Sequence, residues 1–391
     1  MVIRHLTTDE FDERVALSEY AFQAKFTPER KESERRYYKP EEHIGFFDER
    51  GALLSALMVI PLRIWVNGIS IGMGGIANVA TWPEARRLGC VSRLLERAFA
   101  AMKEQGQLVS MLYPFVFPFY RKYGWELTVE RKRYELEPRH LPKRSGTEGN
   151  IERISADAPE TAALYGAYAS RYTGTLDRSE EWWRSRRFDT PASLVLYRSP
   201  DGEPEGYLHY TIENRTMTVR EWVSISERAR RSLWDFIGNH DSMMDRLLMT
   251  APSDDVLPYL LADPRFKQEL EPYFMSRIVD AETFLEQYRF ESGPEEALTL
   301  RLSDAHAPWN DGLFRLTWGE DGQVRTERLQ ENADAASEAV ALDIGALTLL
   351  LLGGRCASWL AESGRLNGSR SGIALLERRV PLRTSYLMDG F

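Results

Sequence analysis

Residues 76–99 read IANVATWPEARRLGCVSRLLERAF, and their pattern predicts a strand, a basic turn and then a helix. The strand character ends at Pro83, and Gly89 lies just before the helical part. Apolar side chains then recur at helical spacing on one face: Val91, Leu94, Leu95, Ala98 and Met102. Because Gly89 precedes this pattern, we expect it to open the helix. The unpaired N–H groups and the dipole at such a helix start favour a bound phosphate.

The composition indicates a globular protein with room for two or three domains. The chain has 391 residues, of which 43% are hydrophobic and 28% are charged. Its net charge of −9 disfavours a nucleic-acid partner and favours cationic ones. The longest nearly apolar run, residues 344–352, is far shorter than the ~20 residues that span a bilayer. The acidic N-terminal residues do not resemble a secretory signal. We therefore expect a cytoplasmic protein without a membrane partner.

The cysteines and histidines indicate neither a disulfide framework nor a metal site. Only Cys90 and Cys356 are present, and we expect both to be reduced. The six histidines lack the spacing of zinc motifs. The sequence thus predicts no metal.

Two motifs resemble the GNAT acetyltransferases. The first is the family's acetyl-coenzyme A signature, Q/R-x-x-G-x-G/A. Arg86 and Gly89 match it, and Val91 stands where the family prefers Gly or Ala. The second is FYRKYGWE at residues 119–126, which resembles the F-Y-x-x-x-G-F-x element of these domains. This resemblance implies that Tyr120 is the general acid, with Tyr123 and Tyr113 as fallback candidates. The alternative for Tyr120 is a core aromatic side chain.

The same resemblance implies which residues bind acetyl-CoA. The residues implied for the pantetheine are Val79, Ala80 and Thr81. Those implied for the pyrophosphate are Arg86, Arg87, Leu88, Gly89, Cys90, Val91 and Ser92. Two more lie just before the catalytic tyrosine, Phe115 and Val116.

The rest of the chain divides into two further units. Residues 138–150 lose periodicity and read as a linker, after which a second α/β unit begins. Within it, VSISERARR at 223–231 aligns without gaps with VATWPEARR at 79–87. That register places Leu233 opposite Gly89, so we expect a degenerate copy whose leucine fills the pyrophosphate space.

The third unit resembles a sterol-carrier-like α+β fold, through DAHAPWNDGLF at 304–314, an apolar segment ending in Gly-Gly, and GRL near the end. The predicted fold class is therefore mixed α/β and α+β. It comprises a GNAT domain at 1–137, a degenerate GNAT-like domain at 151–280 and a sterol-carrier-like domain at 281–391. Such a third domain can hold an acyl chain or sterol, although we expect a scaffold.

This order of units resembles the enhanced-intracellular-survival family of bacterial N-acetyltransferases. The resemblance implies acetyl transfer to an amine of a small cationic molecule, either a polyamine-like compound or an aminoglycoside antibiotic, and hence a role in resistance. It also implies that the C-terminal carboxylate, here that of Phe391, is the general base. Asp389 is an alternative for the base or for substrate binding. The resemblance further implies that the protein is a homo-oligomer, commonly a hexamer in this family.

Two other functions remain open at this point. An aminoacyl-tRNA-dependent ligase would also pair two GNAT-like units, but the acidic charge disfavours tRNA. A non-catalytic sensor of acyl-CoA or lipid would keep the coenzyme site without the chemistry. A variant of Tyr120 that binds coenzyme but releases no thiol would favour the enzyme.

Overall fold

The computed structural model describes residues 1–146, 148–155, 158–185, 193–330 and 339–391. The helices are α1 (Phe11–Ala21), α2 (Pro28–Arg36), α3 (Cys90–Glu104), α4 (Phe117–Arg121), α5 (Pro159–Ala169), α6 (Glu180–Ser185), α7 (Glu227–Gly238), α8 (Leu257–Leu260), α9 (Ala281–Gln287), α10 (Ile344–Leu352), α11 (Ala357–Glu362) and α12 (Arg370–Arg379). The strands are β1 (Val2–His5), β2 (His43–Phe47), β3 (Leu53–Val66), β4 (Ile69–Thr81), β5 (Val109–Leu112), β6 (Glu126–Leu136), β7 (Asn150–Arg153), β8 (Ser193–Arg198), β9 (Pro204–Glu213), β10 (Thr216–Ser224), β11 (Arg246–Pro252), β12 (Lys267–Ile278), β13 (Glu296–Ser303), β14 (Gly312–Trp318), β15 (Val324–Leu329), β16 (Val340–Asp343) and β17 (Leu366–Asn367).

One sheet runs through the first two units. It has 12 strands in the order β1-β2-β3-β4-β5-β12-β6-β11-β10-β9-β8-β7. Strand β6 of the first unit lies between β11 and β12 of the second, and β12 pairs with β5 from Met275 opposite Leu112 to Ile278 opposite Val109. Each unit therefore completes the other's sheet, and the two share a continuous hydrogen-bonded framework.

Strands β4 and β5 diverge in the first unit. They pair in parallel only from Met73 opposite Val109 to Gly75 opposite Met111. Beyond Gly75, β4 has no strand partner on that side among the described residues, while its other side stays paired with β3 as far as Thr81. The divergence leaves an opening between two neighbouring strands in the interior of the sheet.

Helix α3 packs its apolar face against this sheet. Leu94, Leu95, Ala98, Phe99 and Met102 are fully buried, and they belong to one cluster with Trp125 and Met275. This face supports the helix along its length, so its N-terminus is held next to the strand end that leads into it.

The third unit is a five-stranded sheet in the order β15-β14-β13-β16-β17, with α9 to α12. Helix α10 is buried along its whole length and contacts β12 and β6 of the large sheet. The buried Arg277 of β12 pairs with Asp304 at 2.6 Å and also donates to the carbonyl of Tyr123. These contacts fix the third unit against the first two. No helix in the described ranges is both long enough and apolar enough to cross a membrane.

The C-terminal tail, residues 380–391, crosses from α12 back to the other two units. The Thr173 N–H donates to the Thr384 carbonyl at 3.0 Å, and the Tyr386 N–H donates to the Thr173 carbonyl at 2.9 Å. The tail ends at Phe391, whose ring packs on Phe274 of β12 with centroids 4.9 Å apart. The same ring lies against Gly75 of β4, so the last residue of the chain contacts both the first and the second unit.

Candidate active site

The start of α3 has the geometry of an anion site. Gly89 is its N-cap with φ 76°, in the left-handed region, and Arg87 also has a positive φ of 65°. A β-carbon placed on Gly89 would have open space around it, with no heavy atom of other described elements within 4 Å. The first helical turn carries no acidic side chain. Its leading N–H groups lack intrahelical acceptors and are available to a phosphate.

The predicted pyrophosphate residues surround this helix start and offer cationic side chains and backbone N–H groups. Arg86 and Arg87 are exposed and form no ion pair with any residue that the structure describes. Leu88 is also exposed, whereas Cys90 is buried, its Sγ lies 3.6 Å from the Ala85 carbonyl, and burial raises the pKa of its thiol. Cys90 therefore offers only its backbone N–H.

Val91 and Ser92 lie in the first turn of α3. Val91 is half-buried against the core cluster beneath the helix. The Ser92 hydroxyl is bonded to Glu96 at 3.5 Å. Like Cys90, these residues would meet a phosphate mainly through backbone N–H groups.

The predicted pantetheine residues lie on the part of β4 that has left β5. A bulge at Asn78, with φ 55°, shifts the register just before Val79. Ser55 of β3 donates to the Ala80 carbonyl at 2.8 Å and shares a hydrogen bond with the Thr81 hydroxyl at 2.7 Å. The β3 side of this segment is therefore satisfied, and its β5 side remains for a ligand.

Tyr120 lies in α4 within a cluster of aromatic rings. It is 3% exposed, and its ring centroid is 5.5 Å from that of Phe115 and 6.0 Å from that of Trp125. Its hydroxyl has no hydrogen-bond partner in the described part of the chain, and burial raises its pKa to about 12. Phe115 and Val116 are exposed in the loop before α4. Tyr120 is thus both a core aromatic and a protonated phenol without a partner.

The two fallback tyrosines differ from Tyr120. Tyr113 is 61% exposed, and its ring centroid lies 5.8 Å from that of Phe274 with the two rings tilted by 52°. Tyr123 is half-buried, and its ring lies 4.8 Å from that of His306. Neither has the enclosed position of Tyr120.

The C-terminal residue lies where β4 and β5 diverge. A β-carbon added to Gly75, the last β4 residue paired with β5, would be 2.8 Å from Cε2 of Phe391. Only a residue without a side chain admits this ring. Gly75 was not among the predicted site residues, but the run GMGG at 72–75 was a signal, since glycines inside a strand often mark a close approach.

The carboxylate of Asp389 is already bound by side chains of the second unit. Its carboxylate accepts from Arg178 at 2.9 Å, from the Trp182 indole at 3.0 Å and from the Tyr165 hydroxyl at 3.1 Å. The side chain is only 7% exposed. This arrangement suits an anchor better than a base. Arg178 had no sequence signal, because its partner is about two hundred residues away.

The second unit differs from the prediction in register. Its helix α7 begins at Glu227, with Ser226 as N-cap accepting from the Ala229 N–H at 3.1 Å. Leu233 therefore lies inside the helix, fully buried on the sheet face, and does not correspond to Gly89. The expectation that this leucine fills a pyrophosphate space is wrong, because the loop before α3 is longer than the loop before α7.

The start of α7 is instead closed by its own side chains. The Ser226 hydroxyl donates to Glu205 at 2.5 Å, and Arg228 donates to the same carboxylate. A fixed carboxylate beside a helix N-terminus repels a phosphate. Within the described residues, no group of three or more His, Cys, Asp or Glu is placed to hold a metal ion.

Comparisons with known proteins agree with this architecture. GNAT acetyltransferase domain models match residues 2–128 and 174–278, and a sterol carrier protein domain model matches residues 281–388. A relative from Streptomyces avermitilis, called an uncharacterized N-acetyltransferase, is 28% identical over 378 residues, which cover 89% of this chain and 87% of the relative.

Several solved structures match along the whole chain. A protein of unknown function from Enterococcus faecalis V583, described as a probable N-acyltransferase, is 30% identical with a TM-score of 0.91, covering 100% of this chain and 99% of that one. Eis1 from Mycobacterium abscessus is 22% identical with a TM-score of 0.81 and full coverage of both chains, and it shares the fold. The GNAT fold indicates an acyl-CoA cosubstrate. The chain therefore belongs to the GNAT acetyltransferases, in the Eis-like arrangement of two acetyltransferase domains followed by a sterol carrier protein domain.

Proposed function

We propose that this protein transfers an acetyl group from acetyl-CoA to an amine of a small cationic molecule, with aminoglycosides and polyamine-like compounds as the substrate class. The observation that carries the proposal is the packing of Phe391 on Gly75, at the divergence of β4 and β5. This packing supports the proposal because it puts Phe391, whose carboxylate is the proposed base, next to the opening beside the proposed donor residues.

The donor is proposed to bind along β4 and the start of α3. The pantetheine would lie beside Val79, Ala80 and Thr81, and the pyrophosphate would meet the N–H groups that follow Gly89. Arg86 would add charge-assisted hydrogen bonds to the phosphates. The exposed side chains of Leu88, Phe115 and Val116 offer apolar contact beside this path.

In the proposed mechanism, Phe391 and Tyr120 carry the protons. The carboxylate of Phe391 takes a proton from the ammonium group, and the neutral nitrogen attacks the thioester carbonyl. The C–N bond forms, the C–S bond breaks, and the Tyr120 hydroxyl protonates the departing thiolate. Burial raises the pKa of Tyr120 to about 12, so the phenol is fully protonated at neutral pH. The thiolate is a stronger base in the same dry surroundings, which keeps this transfer feasible.

The acceptor class rests on charge and on aromatic surface. The net charge of −9 attracts cations. Next to the end of β4, Tyr20 packs on Trp82 with ring centroids 5.1 Å apart, and Tyr20 and Phe22 are each 54% exposed. Exposed aromatic rings of this kind bind ammonium groups and sugar faces.

The proposal extends to assembly and domain limits. The Eis-like architecture favours a hexamer, which light scattering would test against six times the 45.0 kDa chain mass. We keep 1–137, 151–280 and 281–391 as working domain ranges, with residues 151–280 as a unit that no longer binds coenzyme. A cytoplasmic location is proposed as well.

The function is tested by incubating the protein with acetyl-CoA and a panel of amines, including tobramycin, kanamycin, spermine and lysine. Free thiol is followed spectroscopically, and products are identified by the mass of an added acetyl group. We expect thiol release with polycationic amines. Coenzyme binding by calorimetry without turnover on any amine would favour the alternative, a non-catalytic sensor.

A further inference from the structure

We propose that the second acetyltransferase-like unit serves as a dock for the C-terminal tail, in which Arg178 grips Asp389 and thereby positions the carboxylate of Phe391. Arg178 is a positioning residue and does not touch the reacting atoms. The inference rests on the proposed function, because it assigns a role to the carboxylate proposed as base.

The grip on Asp389 comes from four groups. Three are side chains of the second unit. Arg178 and Trp182 donate to the carboxylate at 2.9 and 3.0 Å, and the Tyr165 hydroxyl, which shares its proton with the Leu176 carbonyl at 2.9 Å, lies 3.1 Å from it. The fourth is the Tyr273 hydroxyl of β12, which donates to the Asp389 backbone carbonyl at 2.9 Å. Side chain and backbone of this residue are therefore both fixed.

Arg178 is itself held rigidly. Its guanidinium pairs with Glu221 as well as Asp389. All three side chains are buried, with exposed fractions of 6% for Arg178, 9% for Glu221 and 7% for Asp389. It also lies 3.7 Å from the ring centroid of Tyr165. A buried ion cluster keeps its geometry because separating any partner leaves an unpaired charge in a dry site.

Tyr386 provides a second anchor for the tail. It lies where two parallel strands of the second unit diverge, as two strands of the first unit also do. Strands β10 and β11 pair in parallel only from Thr216 to Thr218 and then diverge, as β4 and β5 do. Tyr386 is buried at this divergence, beside Trp222 of β10 and Thr250 of β11, on a cavity of about 230 Å³. The tail thus lies, in the second unit, at a strand divergence like the one that we propose for the coenzyme in the first unit.

The distance between anchor and carboxylate is short. Only Gly390 separates Asp389 from Phe391, and two residues span at most about 7 Å. With Asp389 fixed and the Phe391 ring against Gly75, the carboxylate has little freedom. Misplacement of a catalytic group by about 1 Å costs on the order of 100-fold in rate.

The test compares Asp389→Ala and the nearly isosteric Asp389→Asn with the wild type. Release of Phe391 by carboxypeptidase A reports tail attachment without any substrate. Thiol release with acetyl-CoA and the best amine of the panel gives kcat and KM. We expect Asp389→Ala to speed carboxypeptidase release and to lower kcat by about 100-fold, with an unchanged KM for acetyl-CoA. Asp389→Asn keeps a hydrogen-bond acceptor but loses the charge, so its carboxypeptidase rate and its kcat should lie between those of the wild type and Asp389→Ala.

The control is Asp254→Asn. Asp254 accepts from Thr384 of the same tail at 2.9 Å, but this contact is exposed, so we expect wild-type behaviour. Thermal melting of all variants separates a loosened tail from global unfolding. If Asp389→Ala does not fold, the proposal is tested by Asp389→Asn alone, for which we expect faster carboxypeptidase release and a lower kcat than in the wild type.

Two outcomes are distinguished by a deletion of Gly390 and Phe391. If the deletion abolishes turnover while both Asp389 variants keep the wild-type kcat and carboxypeptidase rate, the dock is wrong and the base assignment stands. If the deletion leaves turnover intact, the base assignment fails. Faster carboxypeptidase release in Asp389→Ala would then still support the dock as an anchor.

Discussion

The ring of Phe391 lies against Gly75 so closely that a β-carbon on this glycine would be 2.8 Å from Cε2 and 3.0 Å from Cδ2 of the ring. Gly75 is also the last residue at which β4 still pairs with β5. Gly75 therefore lies both against the ring of Phe391 and at the start of the opening that we propose for the donor.

Replacing Gly75 by Val should displace the C-terminus while leaving the tail sequence intact. The ring is at the end of the chain and can move away, so we expect a large fall in kcat with little loss of stability. The matched control is Gly74→Val, whose β-carbon would meet the ends of the Met102 and Gln107 side chains instead. A wild-type kcat in Gly75→Val would show that the position of Phe391 does not matter.

Replacing Gly89 by Leu should abolish binding of acetyl-CoA. The left-handed φ of 76° makes any side chain cost about 1–2 kcal/mol, so strain must be separated from ligand exclusion. Gly364→Leu is the control, because Gly364 has φ 71° and equally open surroundings, away from α3. We expect similar losses of stability in urea and a loss of affinity, by calorimetry, in Gly89→Leu alone. Normal affinity there would mean that the phosphates bind elsewhere.

Tyr120→Phe removes one hydroxyl from an apolar cluster, so the fold and the affinity for acetyl-CoA should be unchanged. We expect thiol release to fall by about 100-fold or more, the range typical of a general acid. Tyr123→Phe serves as the comparison, because Tyr123 is the nearest fallback candidate. A normal rate in Tyr120→Phe together with a slow Tyr123→Phe would reassign the acid.

His43 should make the protein less stable in mild acid. Burial lowers its pKa to about 3, whereas an unfolded histidine titrates near 6.5. Between these values the unfolded chain binds a proton that the folded chain does not, so stability falls as the pH drops through 6.5. The expected loss from this residue is about 2 kcal/mol between pH 8 and pH 5.

The measurement for His43 is urea unfolding of wild type and His43→Phe at both pH values. Phenylalanine keeps an aromatic ring next to Tyr38, which lies 5.0 Å from the imidazole centroid. The variant should show the smaller pH dependence. An equal pH dependence of stability in both proteins would mean that His43 binds its proton as readily in the folded protein as in the unfolded chain.

The first unit could be predicted because its signals are local. The periodicity of α3, the position of Gly89 before it and the aromatic segment around Tyr120 each depend on neighbours in sequence. Strand β12 was not predicted. Its first half is exposed and reads KQELEP, and only pairing with β5 and β6 makes it a strand.

The parts of the site that arise from distant contacts could not be found in the same way. Leu233 was placed opposite Gly89 because an ungapped alignment ignores the longer loop of the first unit. Arg178 and Asp389 are separated by 211 positions, and nothing near either residue indicates the other. The role of Gly75 becomes visible only once the chain terminus is placed against it.

The central claim, that the C-terminal carboxylate takes part in acetyl transfer, is tested most directly by deleting Gly390 and Phe391. Thiol release is measured with acetyl-CoA and the best amine acceptor, and coenzyme affinity is measured in parallel by calorimetry. We predict that turnover is lost while acetyl-CoA binds as in the full chain. A truncated protein that binds acetyl-CoA and turns over at a near-normal rate would contradict the claim.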